Sequence, residues 1–75
     1  MTGLTESQWK TWHIIRDFEL RTWVQPNLRE IQRECGFASA NAARDAVERL
    51  ERLGAVYVYR PETGGNVRVV ALDAQ

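Results

Sequence analysis

Three segments with helical apolar spacing, each preceded by a side chain able to cap it, come before two alternating segments joined by a glycine-containing turn. Together these predict an α+β fold of the winged helix-turn-helix class: three helices over residues 6–23, 28–35 and 40–53, then a two-stranded antiparallel wing over 55–71. The third observation is the stretch Cys35 to Gly54, C-G-F-A-S-A-N-A-A-R-D-A-V-E-R-L-E-R-L-G. It reads as a tight turn and one amphipathic helix, the unit whose second helix enters a DNA major groove.

Thr5 and Gln8 fit a capping box with Leu4 before it as a staple, so the first helix begins at Glu6 and runs to about Trp23. On a helical projection Thr11, Ile14, Ile15, Phe18 and Thr22 share one side, assigned to the core, with Trp12 at its border. The opposite side carries Trp9, His13, Arg16, Leu20 and Trp23, a second stripe that so small a domain cannot easily bury. Pro26 disfavours helix at Gln25 and breaks the pattern. Asn27 with Glu30 is a second capping box, opening a short helix with Leu28, Ile31 and Cys35 inward. Gly36 then stops that helix, Phe37 plugs the gap, and Ser39 caps the next.

From Ala40 to Leu53 there is no Gly or Pro. At about 100° per residue, Ala43, Ala46, Val47, Leu50 and Leu53 face the core while Asn41, Arg44, Asp45, Glu48 and Arg52 face outward. Gly54 is a stop signal, and Val56 and Val58 alternate with Tyr57 and Tyr59 in a half-buried strand. The two tyrosines are expected to pack against the helices or each other. Pro61 to Asn66, P-E-T-G-G-N, is turn chemistry, and Val67 to Ala71 returns as the second strand.

The 75 residues have room for one domain, 1–75, and 44% hydrophobic content is ordinary for a globular chain. No apolar run approaches the roughly 18 residues of a membrane span, and the start M-T-G-L-T-E lacks a signal pattern, so a cytoplasmic protein with no membrane association is expected. The single Cys35 cannot form an internal disulfide and reads as a small buried hydrophobe. With one His no local metal-ligand cluster can be assembled; no cofactor is indicated, and His13 has no nucleophile and carboxylate around it, so no catalytic residue and no enzyme is expected. Ten Lys plus Arg balance ten Asp plus Glu, whereas non-specific nucleic-acid binders are usually basic. Nine of the ten cations are Arg, the residue that makes paired contacts to phosphates and guanine edges.

The sequence resembles the N-terminal DNA-binding domain of the LexA repressor family. The likeness lies in L-T-x-x-Q at Leu4, Thr5 and Gln8, I-R-D at Ile15 to Asp17, R-E-I at Arg29 to Ile31, G-F-x-S-x-N-A-A from Gly36 to Ala43, and the Gly54 turn into a strand. It runs from Leu4 to about Val69. The resemblance implies that Ser39, Asn41 and Ala42 match positions that touch the operator, and that the tip around Gly64 and Gly65 approaches the DNA backbone. Family members commonly carry two acidic residues where this chain has Arg44 and Asp45, so the operator sequence does not carry over. The family's self-cleaving C-terminal domain, with its Ser/Lys protease and most of its dimerisation, has no counterpart in these residues.

Arg44, one turn from Asn41, can pair its fork with guanine; Asp45 either accepts from a cytosine amino group or repels phosphate. Pairs of Arg44 with Glu48 and Glu48 with Arg52 would give a solvated, self-paired face, each pair contributing about 0.2–0.5 kcal/mol. Arg60 and Arg68 flank the wing as phosphate contacts, with Arg29 at the start of the second helix and Arg52 on the third. The expected function is a sequence-specific reader of double-stranded DNA, a transcription regulator of repressor type that reads the major groove with helix 40–53. Trp9, His13, Arg16, Leu20 and Trp23 are expected to form a homodimer interface on the outer face of helix 1, or a site for another protein. The alternative function is a protein-interaction module on the same scaffold, a phage or mobile-element factor docking on a host regulator or polymerase.

Overall fold

Each helix starts where a side chain takes up N–H groups that the helix itself leaves unpaired. In the computed structural model, which describes residues 3–72, α1 spans Glu6–Thr22, α2 Leu28–Cys35 and α3 Ala40–Arg52, followed by β1, Val56–Tyr59, and β2, Arg68–Ala71. Thr5 Oγ1 accepts from the Gln8 N–H at 3.1 Å while Gln8 Oε1 accepts from the Thr5 N–H at 2.9 Å. Asn27 and Glu30 make the same exchange at 2.8 and 2.9 Å. Both capping boxes therefore form as expected. Three helices and a two-stranded antiparallel sheet give the winged helix-turn-helix architecture.

The strands pair from Val56 with Ala71 to Tyr59 with Arg68, burying Val56 and Val58. Tyr57 and Tyr59 are 56% and 51% exposed on the outer face of the strand. The hairpin is shorter than residues 55–71 because the segment 60–67 leaves the ladder, with Gly64 and Gly65 both in the positive-φ region. A third segment joins the sheet edge without a signal in the sequence: the Val69 N–H donates to the Pro26 carbonyl at 3.0 Å, and Asn27 bridges Arg68. Pro26 is fully buried there. Arg68 Nη1 completes the junction by donating to the Gln25 carbonyl at 2.9 Å, with Glu30 Oε1 3.5 Å away.

The core is built from Trp12, Ile15, Ile31, Val47, Leu50 and the inward valines Val56, Val58 and Val69. Trp12, placed by the projection at the border, lies at its centre. It is 4% exposed, and its indole N–H donates to the Ala55 carbonyl at 2.9 Å and the Leu72 carbonyl at 3.2 Å. A helical projection places side chains on faces but cannot foresee that a strand pair supplies carbonyls for an indole. Ile14 is half-buried. Thr22 is exposed, because its hydroxyl is spent on the turn: it donates to the Phe18 carbonyl at 2.8 Å and lies 3.3 Å from the Val24 N–H. Leu53 is 45% exposed rather than inward, since α3 ends at Arg52 and Leu53 is its cap.

Candidate nucleic-acid interface

The turn between α2 and α3 is fixed by two backbone devices. Gly36 ends α2 at φ 75°, and the Phe37 N–H reaches back to the Gln32 carbonyl at 3.0 Å. Ser39 Oγ then accepts from the Ala42 N–H at 3.1 Å, leaving the hydroxyl hydrogen to donate elsewhere. Ala43, Val47 and Leu50 anchor α3 in the core, which sets Asn41, Arg44, Asp45, Glu48 and Arg52 outward and exposed. Ala42 is half-buried beside them. No acid occupies the first turn of α3, so the positive end of the helix dipole stands open to a phosphate.

Arg44 and Asp45 diverge. Arg44 lines the groove between α3 and the wing, together with Glu48, Val58 and Arg60, whereas Asp45 lines the depression between α3 and the start of α1, beside Thr5, Gln8 and Arg49. The pairs expected of Arg44 with Glu48 and Glu48 with Arg52 are not made. Ion pairs instead join Arg21 to Glu34, Arg60 to Glu51 and Arg68 to Glu30 across elements, and Arg33 to Glu34 within α2. Arg29 is exposed on a ledge with Gln32 and Arg33 beside the Gly36 turn. Arg33 went unmarked in the sequence, although its spacing of one helical turn from Arg29 was a usable signal.

The two wing arginines both have partners within the domain. Arg68 is turned inward onto Gln25 and Glu30, as a brace. Arg60 lies across α3, its guanidinium meeting both carboxylate oxygens of Glu51 at 2.9 Å. Gly64 and Gly65 sit exposed at the tip, each with positive φ.

The comparison with known proteins bears on this geometry directly. Residues 1–63 match the model of the LexA DNA binding domain. The chain belongs to the LexA DNA-binding domain family. The LexA repressor of Pseudoalteromonas atlantica is 36% identical over 69 residues, which are 92% of this chain and 33% of that protein. The LexA repressor of Herminiimonas arsenicoxydans is 38% identical over 69 residues, 92% of this chain and 31% of that protein. The chain thus spans about a third of the length of these relatives.

In this LexA-type domain the outer stripe of α1 is split. Trp9 packs partly buried against the core, edge-on to Trp12 at 5.6 Å, with His13 stacked on it at 5.7 Å. Arg16 lies over the Trp12 ring at 5.4 Å. Leu20 and Trp23 stay outside, 67% and 90% exposed, with Val24 beside them at 48%. Trp23 is not the last helical residue but the cap, at φ 65°, and among the described residues it is the one non-glycine with positive φ. That conformation costs a bulky residue about 1–3 kcal/mol, and nothing inside the domain covers the ring. Cys35 is half-buried, and burial together with neighbouring Glu34 pushes its thiol up. Among the described residues no helix is long and apolar enough to cross a membrane, and no group of three His, Cys, Asp or Glu gathers where a metal would bind.

Proposed function

We propose that this LexA-type domain is a cytoplasmic, non-enzymatic transcription regulator of repressor type that binds double-stranded DNA sequence-specifically and lays α3 in the major groove. One observation carries the assignment: the outer face of α3 presents Ser39, Asn41, Ala42, Arg44 and Asp45 at the open end of a helix whose other face is locked in the core. Asn41 can pair with adenine and Arg44 with guanine, while Asp45, on the far side, meets a cytosine amino group or turns phosphate away. Arg29, Arg52 and the amides around Gly64 and Gly65 supply phosphate contacts. Selection of bound oligonucleotides from a random duplex pool tests this directly. Enrichment of a palindrome is the expected result; a pool that stays random would replace the DNA reader with the second reading, a protein-interaction module, which the neutral charge of the chain and the uncovered Trp23 favour.

The domain pairs with itself through the exposed end of α1. Its extents of 34 × 27 × 24 Å fit the turn of about 34 Å that separates neighbouring half-sites, so copies on adjacent sites can touch. Leu20, Trp23 and Val24 make a patch smaller than the roughly 800 Å² per partner of a stable interface, so contact forms chiefly between copies already held on DNA. Trp9, His13 and Arg16 lie further back along α1 and flank this contact. In sedimentation the wild type should associate on a duplex carrying two half-sites, and a Leu20→Ala/Trp23→Ala variant should not. A wild type that binds the two half-sites without interaction would refute self-association, and an associating double variant would move the contact elsewhere.

A further inference from the structure

The recognition helix is neutral: Arg44, Arg49 and Arg52 are matched by Asp45, Glu48 and Glu51. Of these acids Glu51 is used in a particular way. It sits in the last turn of α3, and it grips Arg60, the residue that follows β1, through both carboxylate oxygens at 2.9 Å. This fork-to-fork pairing is the strongest geometry available to the two groups. It holds the Glu51 carboxyl below the usual carboxylate range and raises the Arg60 guanidinium in turn. Arg60 also lines the groove between α3 and the wing with Arg44, and Glu48 adds a further negative charge facing it. The best-placed cation of the wing is therefore occupied by an acid from the recognition helix.

We propose that Glu51 withholds Arg60 from the phosphate backbone and so sets how strongly the domain holds DNA of any sequence. The inference rests on the DNA-reading assignment above. Phosphate contacts give affinity to every sequence alike and scale with the cations available, so a withheld cation lowers binding to random and to cognate DNA by the same factor and leaves the domain easier to release from both. An unpaired wing arginine would add affinity on all sequences and a clamped one adds none; in either case discrimination rests with Asn41, Arg44 and their neighbours on α3.

The test measures binding of wild type, Glu51→Gln and Glu51→Ala to random-sequence duplex across a salt series. Both variants change a half-buried side chain that is not among the core residues. Each is expected to bind random duplex more tightly and to steepen the slope of log affinity against log salt by about 0.9, the release of one further counterion. Adding Arg60→Gln should remove the gain. Affinity for a selected site should rise by the same factor, leaving the ratio of selected-site to random-site affinity unchanged. Unchanged or shallower slopes for both variants would overturn the proposal, as would a wild-type slope that drops by about 0.9 on Arg60→Gln alone, because Arg60 would then already reach phosphate from its clamp. The two assignments separate cleanly: a wild type with no duplex affinity, beside variants that gain it, would sink the DNA-reading assignment while supporting the clamp. No duplex affinity in any of them would sink both.

Discussion

Trp12→Ala is expected to remove most of the stability of this domain. Large aromatic truncations in a core cost about 3–5 kcal/mol, and at 0.05–0.15 kcal/mol per residue a chain of 75 residues has only about 4–11 kcal/mol in total. Trp12 is 4% exposed and touches Trp9, His13 and Arg16 along its own helix. Its indole N–H also joins α1 to the two ends of the hairpin, at the Ala55 and Leu72 carbonyls. Trp12→Phe separates these contributions. It retains most of the packing and loses the donor, and because the Ala55 carbonyl still accepts from the Leu72 N–H at 3.0 Å, the cost should be only about 1 kcal/mol. Chemical denaturation of the three proteins measures both steps. Equal losses in the two variants would show that the hydrogen bonds, not the packing, dominate.

Asn41→Ala should leave stability unchanged and weaken cognate DNA binding by about 1–3 kcal/mol, roughly 5- to 150-fold. Asn41 is exposed, and the cap of α3 is made by Ser39, so folding does not depend on its amide. Titration against the selected site and against a scrambled duplex distinguishes the roles. A lost base contact lowers affinity for the first and flattens the difference between them; equal losses on both would make Asn41 a backbone contact.

The helix starts were legible because a capping box is local: Thr5 with Gln8 and Asn27 with Glu30 lie three residues apart and specify their own geometry. The turn at Gly36 and Ser39 is equally local, which is why the resemblance concentrated there and the outward residues of α3 fall where periodicity put them. What was not legible is pairing across distance. Arg60 and Glu51 meet across the Gly54 turn, and Arg68 reaches the carbonyl of Gln25, 43 positions away, so no spacing rule marks either. Trp12 misled for the same reason, its partners lying 43 and 60 residues away. Trp23 misled differently: its apolar spacing continued the stripe of α1, but the chain had already left the helix at that residue.

The bond between the Pro26 carbonyl and the Val69 N–H has a mechanical meaning. The wing is held at two places, at the linker between α1 and α2 through Pro26 and at the end of α3 through Glu51. A force applied at the tip, residues 60–67, is delivered through Arg68 and Val69 to Pro26 and Asn27, the residues that open α2. The opening of α2 and the returning strand of the wing therefore share their backbone partners, so the seat of the wing and the base of the helix-turn-helix unit are one junction.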